Sequence, residues 1–522
     1  MTAVRKGYKI CSLRFLALIY GFVMLCWGFC DSFLCVRGCY GMENFSVLVN
    51  ELDGLIWSMA LVSLCLGAGL YLSFRLGFPQ VRLIGEMVRL LFGDKKSEHG
   101  ISSFQSFATT VGARVGMGNI AGVATAIFIG GPGSIFWMWM ITFIGAASAF
   151  TESVLGQAYK IKNSSGVFMG GPAYYLEHGL KCKNYARLFA VLAVMGPGLL
   201  LPGVQINSLV LVFEEAFAVD RTVVGFICCA LLAFIIFGSI KRISKVAEIL
   251  TPFMCLIYMG FAAIILGMNF DKIPGMLQLI VTSALGVEPL FAGIIGSAVS
   301  WGVKRGIYSN EAGMGCGAIV SAAAETSHPA KQGLIQACSI YVDTLLIGTA
   351  TALIILLTGT YNVSDGQGGL LFSSIGGIEA GIKWAQYALM NTFGAWSGKV
   401  LAVIIMLFVF TSLTGYCYQA EANIRYLFKR NKMALNTVRI IFVLASFFGC
   451  LVNADAIWAL GDIGYGLLGW ANIIAIILMA PKAVAILKDY EQQKRAGRDP
   501  VFAPEKFGIN DYTGAWDKYK KK

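Results

Sequence analysis

Arg114-Val-Gly-Met-Gly-Asn119-Ile-Ala-Gly122 and Arg305-Gly-Ile-Tyr-Ser-Asn310-Glu-Ala-Gly313 are the two stretches that decide the fold. Each lies inside a long apolar segment, 103–128 and 291–325, and each is dense in glycine and charged at mid-segment. A continuous lipid-facing helix does not tolerate that combination, because glycine weakens a helix and an intramembrane ion is costly. Non-helical backbone at membrane depth is tolerated where it is enclosed by protein or lines a cavity. The two stretches also match each other, with Arg, Asn, Ala and Gly at the same places in a nine-residue frame. Counting crossings, segment 103–128 runs outward and 291–325 runs inward. Two related interrupted helices of opposite direction point to an inverted repeat. Close packing of two glycine-rich helices is the plainer alternative. The buried Arg and Asn speak against it.

The rest of the chain places these stretches in a membrane. Of 522 residues, 57% are hydrophobic and 13% charged, and the mean hydropathy is +0.70. Soluble domains carry about 25% charged residues. A disordered chain, a collagen, a coiled coil and an ordinary soluble enzyme are excluded. Solid apolar runs, not short alternating ones, exclude a membrane β-barrel. Twelve apolar segments are marked, at 11–30, 55–77, 103–128, 131–156, 187–216, 221–240, 246–268, 291–325, 333–358, 396–424, 437–452 and 454–480. The expected fold class is therefore an all-α polytopic membrane protein with about 12 transmembrane helices. With the N-terminus in the cytoplasm, 33 of the 41 Lys and Arg fall on the cytoplasmic side and five on the other. That bias matches the positive-inside rule and puts both termini in the cytoplasm. The formal charge of +12 is spread over short loops, so no nucleic-acid partner is expected.

The expected divisions are 1–100 (a tail and two extra helices), 101–270 and 271–481 (two five-helix repeats), and 482–522 (a basic, solvated cytoplasmic tail). Segment 11–30 reads either as an uncleaved anchor or as a signal peptide, and lacks a clean small-x-small cleavage site. Most of the 14 Cys lie in apolar runs, where they act as small hydrophobes. Cys30, Cys35 and Cys39 are either free or, facing an oxidising compartment, disulfide-bonded. The three His (His99, His178, His328) fall in loops without metal spacing, and no nucleophile motif or phosphate loop is present. No enzyme activity and no cofactor are expected, and without an ATP-binding domain the driving energy comes from an ion gradient.

RVGMGNIAGVATAI, GGPGSIFWMW, GGPAYYLEHG, KRGIYSNEAGMG and YVDTLLIGTATALIIL occur in that order and resemble the alanine/glycine:cation symporter family across residues 55–485. The resemblance implies a leucine-transporter-like five-plus-five inverted repeat. It also implies sodium-coupled import of alanine or glycine across a bacterial inner membrane.

An amino-acid zwitterion at the bilayer midplane needs both charges matched. Free N–H groups at a half-helix start suit the carboxylate. Gly116 and Gly118 lie just before such a start, Asn119 can donate and accept beside them, and Asn310 is its counterpart in the second break. Unwound carbonyls suit the ammonium and the cation. The resemblance assigns sodium to the carbonyls of Gly112 and Val115 and the hydroxyls of Thr411 and Ser412. Alternatively, those hydroxyls bond their own helix. Gln205, mid-segment, serves either substrate or a helix–helix contact. Tyr308 and Tyr416 stand where the family usually has Phe and Trp, so a larger or more polar neutral amino acid such as serine stays open as substrate, and the sequence does not choose between the D and L forms. Of the buried charges Arg114, Arg305 and Glu311, the last either pairs with an Arg and holds the breaks together or carries a proton. Asp343 reads as structural, and Asp455 and Asp462 receive no role. A proton-coupled symporter of the same fold is the near alternative, and a non-transporting receptor or scaffold a remoter one. Oligomeric state is not legible.

Overall fold

The computed structural model describes residues 39–93, 97, 100–163, 166–237, 240–429 and 431–520. Segment 11–30, Cys30 and Cys35 lie outside them. Seven described helical spans are long and apolar enough to cross a bilayer: Phe45–Leu76, Gly133–Ala158, Lys183–Phe217, Ala247–Met268, Pro329–Thr358, Ala395–Phe428 and Ala454–Arg495. The pair Ser103–Arg114 and Gly118–Gly130, bent by 53°, makes an eighth. The expectation of about 12 crossings is thus met only in part by length. Arg221–Ile236 has 16 residues and Lys432–Phe448 has 17, while segment 291–325 is cut into Ile295–Asn310 and Cys316–Ala322. Two antiparallel two-stranded ribbons, Ile161–Lys162 with Phe168–Met169 and Asn362–Ser364 with Leu370–Ser373, lie in loops.

Both breaks fall where glycine and charge interrupt the apolar runs. Ser102 and Gln105 form a capping box that starts the first broken helix, satisfying two orphan donors. The helix stops at Arg114, Val115 turns extended (ψ 94°), and a wide turn over Gly118–Gly122 leads into Val123–Gly130. The second break bends through left-handed backbone at Glu311 (φ 55°), Gly313 (81°) and Gly315 (86°). The breaks touch: a Cβ on Gly118 would lie 3.0 Å from Ser309 Cα, so only glycine admits this approach.

The expectation of a solvated tail from 482 is corrected. The last long helix runs on to Arg495, and residues 499–518 fold back on the loops around 160 and 327. Phe502, Ile509 and Trp516 are buried there, and the Phe502 and Trp516 rings meet at 4.8 Å. Phe502 N–H donates to Ser327 O (2.9 Å), and Lys331 and Lys518 pair with Asp499 (2.7 Å) and Glu325 (2.8 Å). Three apolar side chains removed from water outweigh the solvation of a basic segment whose charges remain at its edge.

Candidate functional site

The first break and the helix Ala395–Phe428 meet through oxygens. Ser412 Oγ lies 3.3 Å from Gly112 O and 3.4 Å from Val115 O. Three of the four residues expected around a cation are therefore together. Thr411 is beside them, its Cβ 3.2 Å from where a Gly112 Cβ would stand, but its hydroxyl donates to Leu407 O (3.1 Å) and Phe408 O (2.9 Å) of its own helix. The own-helix alternative therefore holds for Thr411 and not for Ser412.

Beside this cluster, Gln205 reaches the unwound backbone. Its Oε1 accepts from Met117 N–H (3.3 Å), and its Nε2 donates to Tyr416 Oη (3.4 Å). Gly116 faces both groups, since a Cβ there would come 2.5 Å from Ser412 Oγ and 3.0 Å from Gln205 Oε1. Tyr465 extends the chain of polar groups, with its hydroxyl 3.2 Å from Tyr416 Oη and donating to Glu311 Oε1 at 2.5 Å. Tyr308 packs against Trp458 and Tyr465 with centroids at 5.1 and 5.0 Å, and its buried hydroxyl has no partner among the described residues.

Asn119 and Asn310 part company. Asn119 donates to Asp343 Oδ1 (2.7 Å) and its Oδ1 accepts from Ser309 Oγ. Asp343 Oδ2 accepts from Ser309 Oγ (2.8 Å) and Thr344 Oγ1 (2.7 Å), so this carboxylate, read as merely structural, joins both breaks. Asn310 instead accepts from Ala312 N–H (3.0 Å) and turns its amide to Thr142, 3.3 Å away on Gly133–Ala158. Its expected place in the binding cleft is corrected: it caps the break, because the turn at Glu311 leaves Ala312 N–H needing an acceptor.

The two arginines differ as well. Arg305 makes a two-pronged pair with Asp462 (2.8 and 3.0 Å), and Lys304 joins Asp462 (2.9 Å) to Asp53 (2.6 Å). Pairing of Glu311 with Arg305 is thus ruled out, and Asp462 gains a role that its sequence position did not suggest. Arg114 donates to Ser339 Oγ (2.5 Å) and approaches Glu311 only to 3.9 Å. Above the Arg305 pair opens a cavity of about 520 Å³, lined by Asp53, Trp301, Arg305, Lys383, Trp458 and Asp462 among others. Of its lining residues, Arg305 stacks on Trp458 (4.7 Å) and also lies over the Tyr308 ring (5.5 Å).

Sequence reasoning passed over Glu152, Ser309 and Tyr465. Glu152 carried a readable signal, an ionisable residue inside an apolar segment. Ser309 and Tyr465 carried none, since both types recur throughout the chain.

The sequence pattern of the sodium:alanine symporter family matches residues 42–504. A putative sodium/proton-dependent alanine carrier of Bacillus subtilis (strain 168) is 46% identical over 472 residues, covering 90% of this chain and 97% of that one. A probable sodium/glutamine symporter of the same organism is 44% identical over 87% of this chain and 92% of its own. A sodium/proton-dependent alanine carrier of Bacillus sp. (strain PS3) is 42% identical over 83% of this chain and 98% of its own. Taken with the apolar spans, these relatives settle the class: the chain is an integral membrane protein and belongs to the sodium:alanine symporter family, whose members are transporters and not enzymes.

Proposed function

We propose that the chain imports a small neutral amino acid, alanine or glycine, together with sodium, by alternating access. The observation that carries this reading is the meeting of Ser412 Oγ with the carbonyls of Gly112 and Val115 at the unwound break. A hard cation takes oxygen ligands, and unwound carbonyls with a helix hydroxyl supply them. The adjoining cleft offers Gln205, Tyr416 and the backbone around Gly116–Gly118 to the zwitterion, while Asn119, within the same break, ties it to Asp343 and Ser309. The names of the alanine carriers among its relatives support alanine, while the glutamine symporter keeps larger neutral side chains in view. The positive-inside count supports an orientation with both termini in the cytoplasm.

Uptake of labelled alanine and glycine into proteoliposomes tests it, with an inward sodium gradient, an inward proton gradient, and neither. Uptake that requires sodium and falls in Ser412→Ala is expected. Uptake driven by protons alone would overturn the sodium site. Proton coupling is the second reading, and Glu311 favours it: its Oε2 is buried without a hydrogen bond, 3.9 Å from the nearest guanidinium nitrogen.

A further inference from the structure

Glu152 is a buried charge that the cation site and the substrate cleft leave unused. It lies at 0% exposure in the helix Gly133–Ala158. Its Oε2 accepts from Gly315 N–H (2.9 Å) and Asn472 Nδ2 (3.0 Å), and its Oε1 has no hydrogen-bond partner among the described residues. Arg114 stands between Glu152 and Glu311. Its Nε and Nη2 likewise make no hydrogen bond, and Nε is 3.9 Å from Glu311 Oε2. Gly317 occupies the space on the Glu152 side, where a Cβ would lie 2.7 Å from Arg114 Nη2 and 3.2 Å from Glu152 Oε1. The titratable groups facing the two carboxylates are Arg114, Asp343, Cys316, Tyr175, Tyr308, Tyr416 and Tyr465. Arg114 is the one cation among them.

Asp343 is satisfied by hydrogen bonds from Asn119, Ser309 and Thr344, which leaves Glu152 and Glu311 to share one guanidinium that cannot neutralise both. A buried ion left uncompensated costs several kcal/mol, and the carboxyl group avoids that cost by taking up a proton. We propose that Glu152 and Glu311 hold one exchangeable proton between them, on either side of Arg114, and that this proton sets the direction of the hydrogen bonds from Glu311 through Tyr465 to Tyr416. The step makes and breaks only O–H bonds: a hydronium ion gives a proton to a carboxylate oxygen and leaves water, and water later takes the proton back as hydronium. With the proton on Glu311, the carboxyl donates to Tyr465, Tyr465 donates to Tyr416, and the Tyr416 O–H is left to donate to an acceptor in the cleft. With Glu311 ionised, Tyr465 donates to Glu311 and Tyr416 donates to Tyr465. The cleft then loses a donor for a ligand carboxylate. Proton and amino acid therefore bind with positive coupling, and each strengthens the other equally.

The coupling half of this inference rests on the proposed function, whereas the proton site does not. Infrared spectra of the purified full chain, in water and in deuterium oxide, read the site without any substrate. A protonated-carboxyl band that shifts on deuteration is expected in the wild type at neutral pH, reduced in Glu152→Gln and in Glu311→Gln. Absence of the band, or an undiminished band in both variants, overturns the site. If Glu152→Gln does not fold, Glu152→Asp should shift the band, and an unmoved band overturns the assignment. The second measurement is sodium-dependent binding of labelled alanine from pH 5.5 to 8.5. Affinity should fall at least about fivefold as pH rises in the wild type, and Tyr465→Phe should flatten that dependence. A Tyr465→Phe profile that follows the wild type overturns the relay. A wild type with the band but no alanine binding refutes the proposed substrate and leaves the proton site standing.

Discussion

Replacing Ser412 by alanine removes the side-chain oxygen that lies between the carbonyls of Gly112 and Val115. In the proposed site, the O···O separations of 3.3 and 3.4 Å would be edges of a cation polyhedron. For octahedral coordination such an edge corresponds to a metal–oxygen distance of about 2.4 Å, inside the ~2.3–2.6 Å range of a large hard cation and outside the ~2.0–2.1 Å that magnesium requires. Losing an oxygen that faces a charge costs about 1.5–3 kcal/mol, or roughly 10- to 150-fold in affinity. The assay is the sodium dependence of labelled alanine uptake into proteoliposomes. The half-saturating sodium concentration should rise by roughly that factor in Ser412→Ala, with most of the rate recovered at high sodium. Thr411→Ala should move it by less than about threefold, because its hydroxyl already serves Leu407 O and Phe408 O. An unchanged half-saturation in Ser412→Ala, or a larger effect from Thr411→Ala, would refute the assignment of the site.

Gly116→Ala should abolish most uptake, since its Cβ would meet Ser412 Oγ at 2.5 Å and Gln205 Oε1 at 3.0 Å; Gly122→Ala, whose nearest contact would be 3.5 Å, is the control that should transport nearly normally. Equal uptake by the two would show that the break yields. Asp462→Asn leaves Arg305 and Lys304 without their shared carboxylate, and breaking such a buried network costs about 3–5 kcal/mol; thermal unfolding in detergent should report it, and a wild-type midpoint would show that water reaches these charges. His328, whose charged form burial disfavours, caps the helix Pro329–Ile340 by accepting from Ala330 N–H through Nδ1, while Nε2 lies 3.3 Å from Asp489. A histidine held below its ordinary value of ~6.5 contributes stability above that pH and loses it as pH falls. Limited proteolysis of 496–518, which packs on His328 through Phe502, should therefore quicken on acidification below about 6.5. His328→Asn, which keeps the cap acceptor, should remove that pH dependence, and a dependence that persists would refute the role of His328.

The breaks were legible because they violate a local rule: charge and glycine do not belong in a lipid-facing helix. Gly112, Val115 and Ser412 could be joined only through the family resemblance, since they lie 300 residues apart in sequence and no local pattern records that they meet. Asn310 misled because matching frames equate Asn119 with Asn310. The left-handed turn at Glu311 sends the second amide to Ala312 N–H and Thr142. The packed tail was hidden for another reason. Phe502, Ile509 and Trp516 fall seven residues apart, but the i+3 and i+4 positions between them are Glu505, Lys506, Tyr512 and Thr513, and Gly508 and Gly514 interrupt, so no continuous apolar stripe marks them in a charged tail. Their burial depends on a surface supplied by loops more than 150 residues away.

The frame match places Arg114 and Arg305 at equivalent positions, yet the chain uses them differently. Arg305 has both prongs on Asp462, with Lys304 and Asp53 completing a set of two cations and two carboxylates. That set is charge-balanced, and its unbonded atoms are Arg305 Nε and Asp53 Oδ1, away from the ion pairs themselves, which suits a fixed wall beside the cavity. Arg114 has one hydroxyl partner and two carboxylates at a distance, with unpaired atoms on all three groups. A balanced network resists change in protonation because every change leaves a buried ion alone. An unbalanced one exchanges a proton at lower cost and can respond to what binds beside it. Neutralising Arg114 and neutralising Arg305 should therefore fail in different ways. Arg305→Gln should lower stability and leak through the wall, while Arg114→Gln should retain the fold and alter the pH dependence of alanine affinity. If both variants lost stability alike and neither moved the pH profile, the distinction between the two breaks would be wrong.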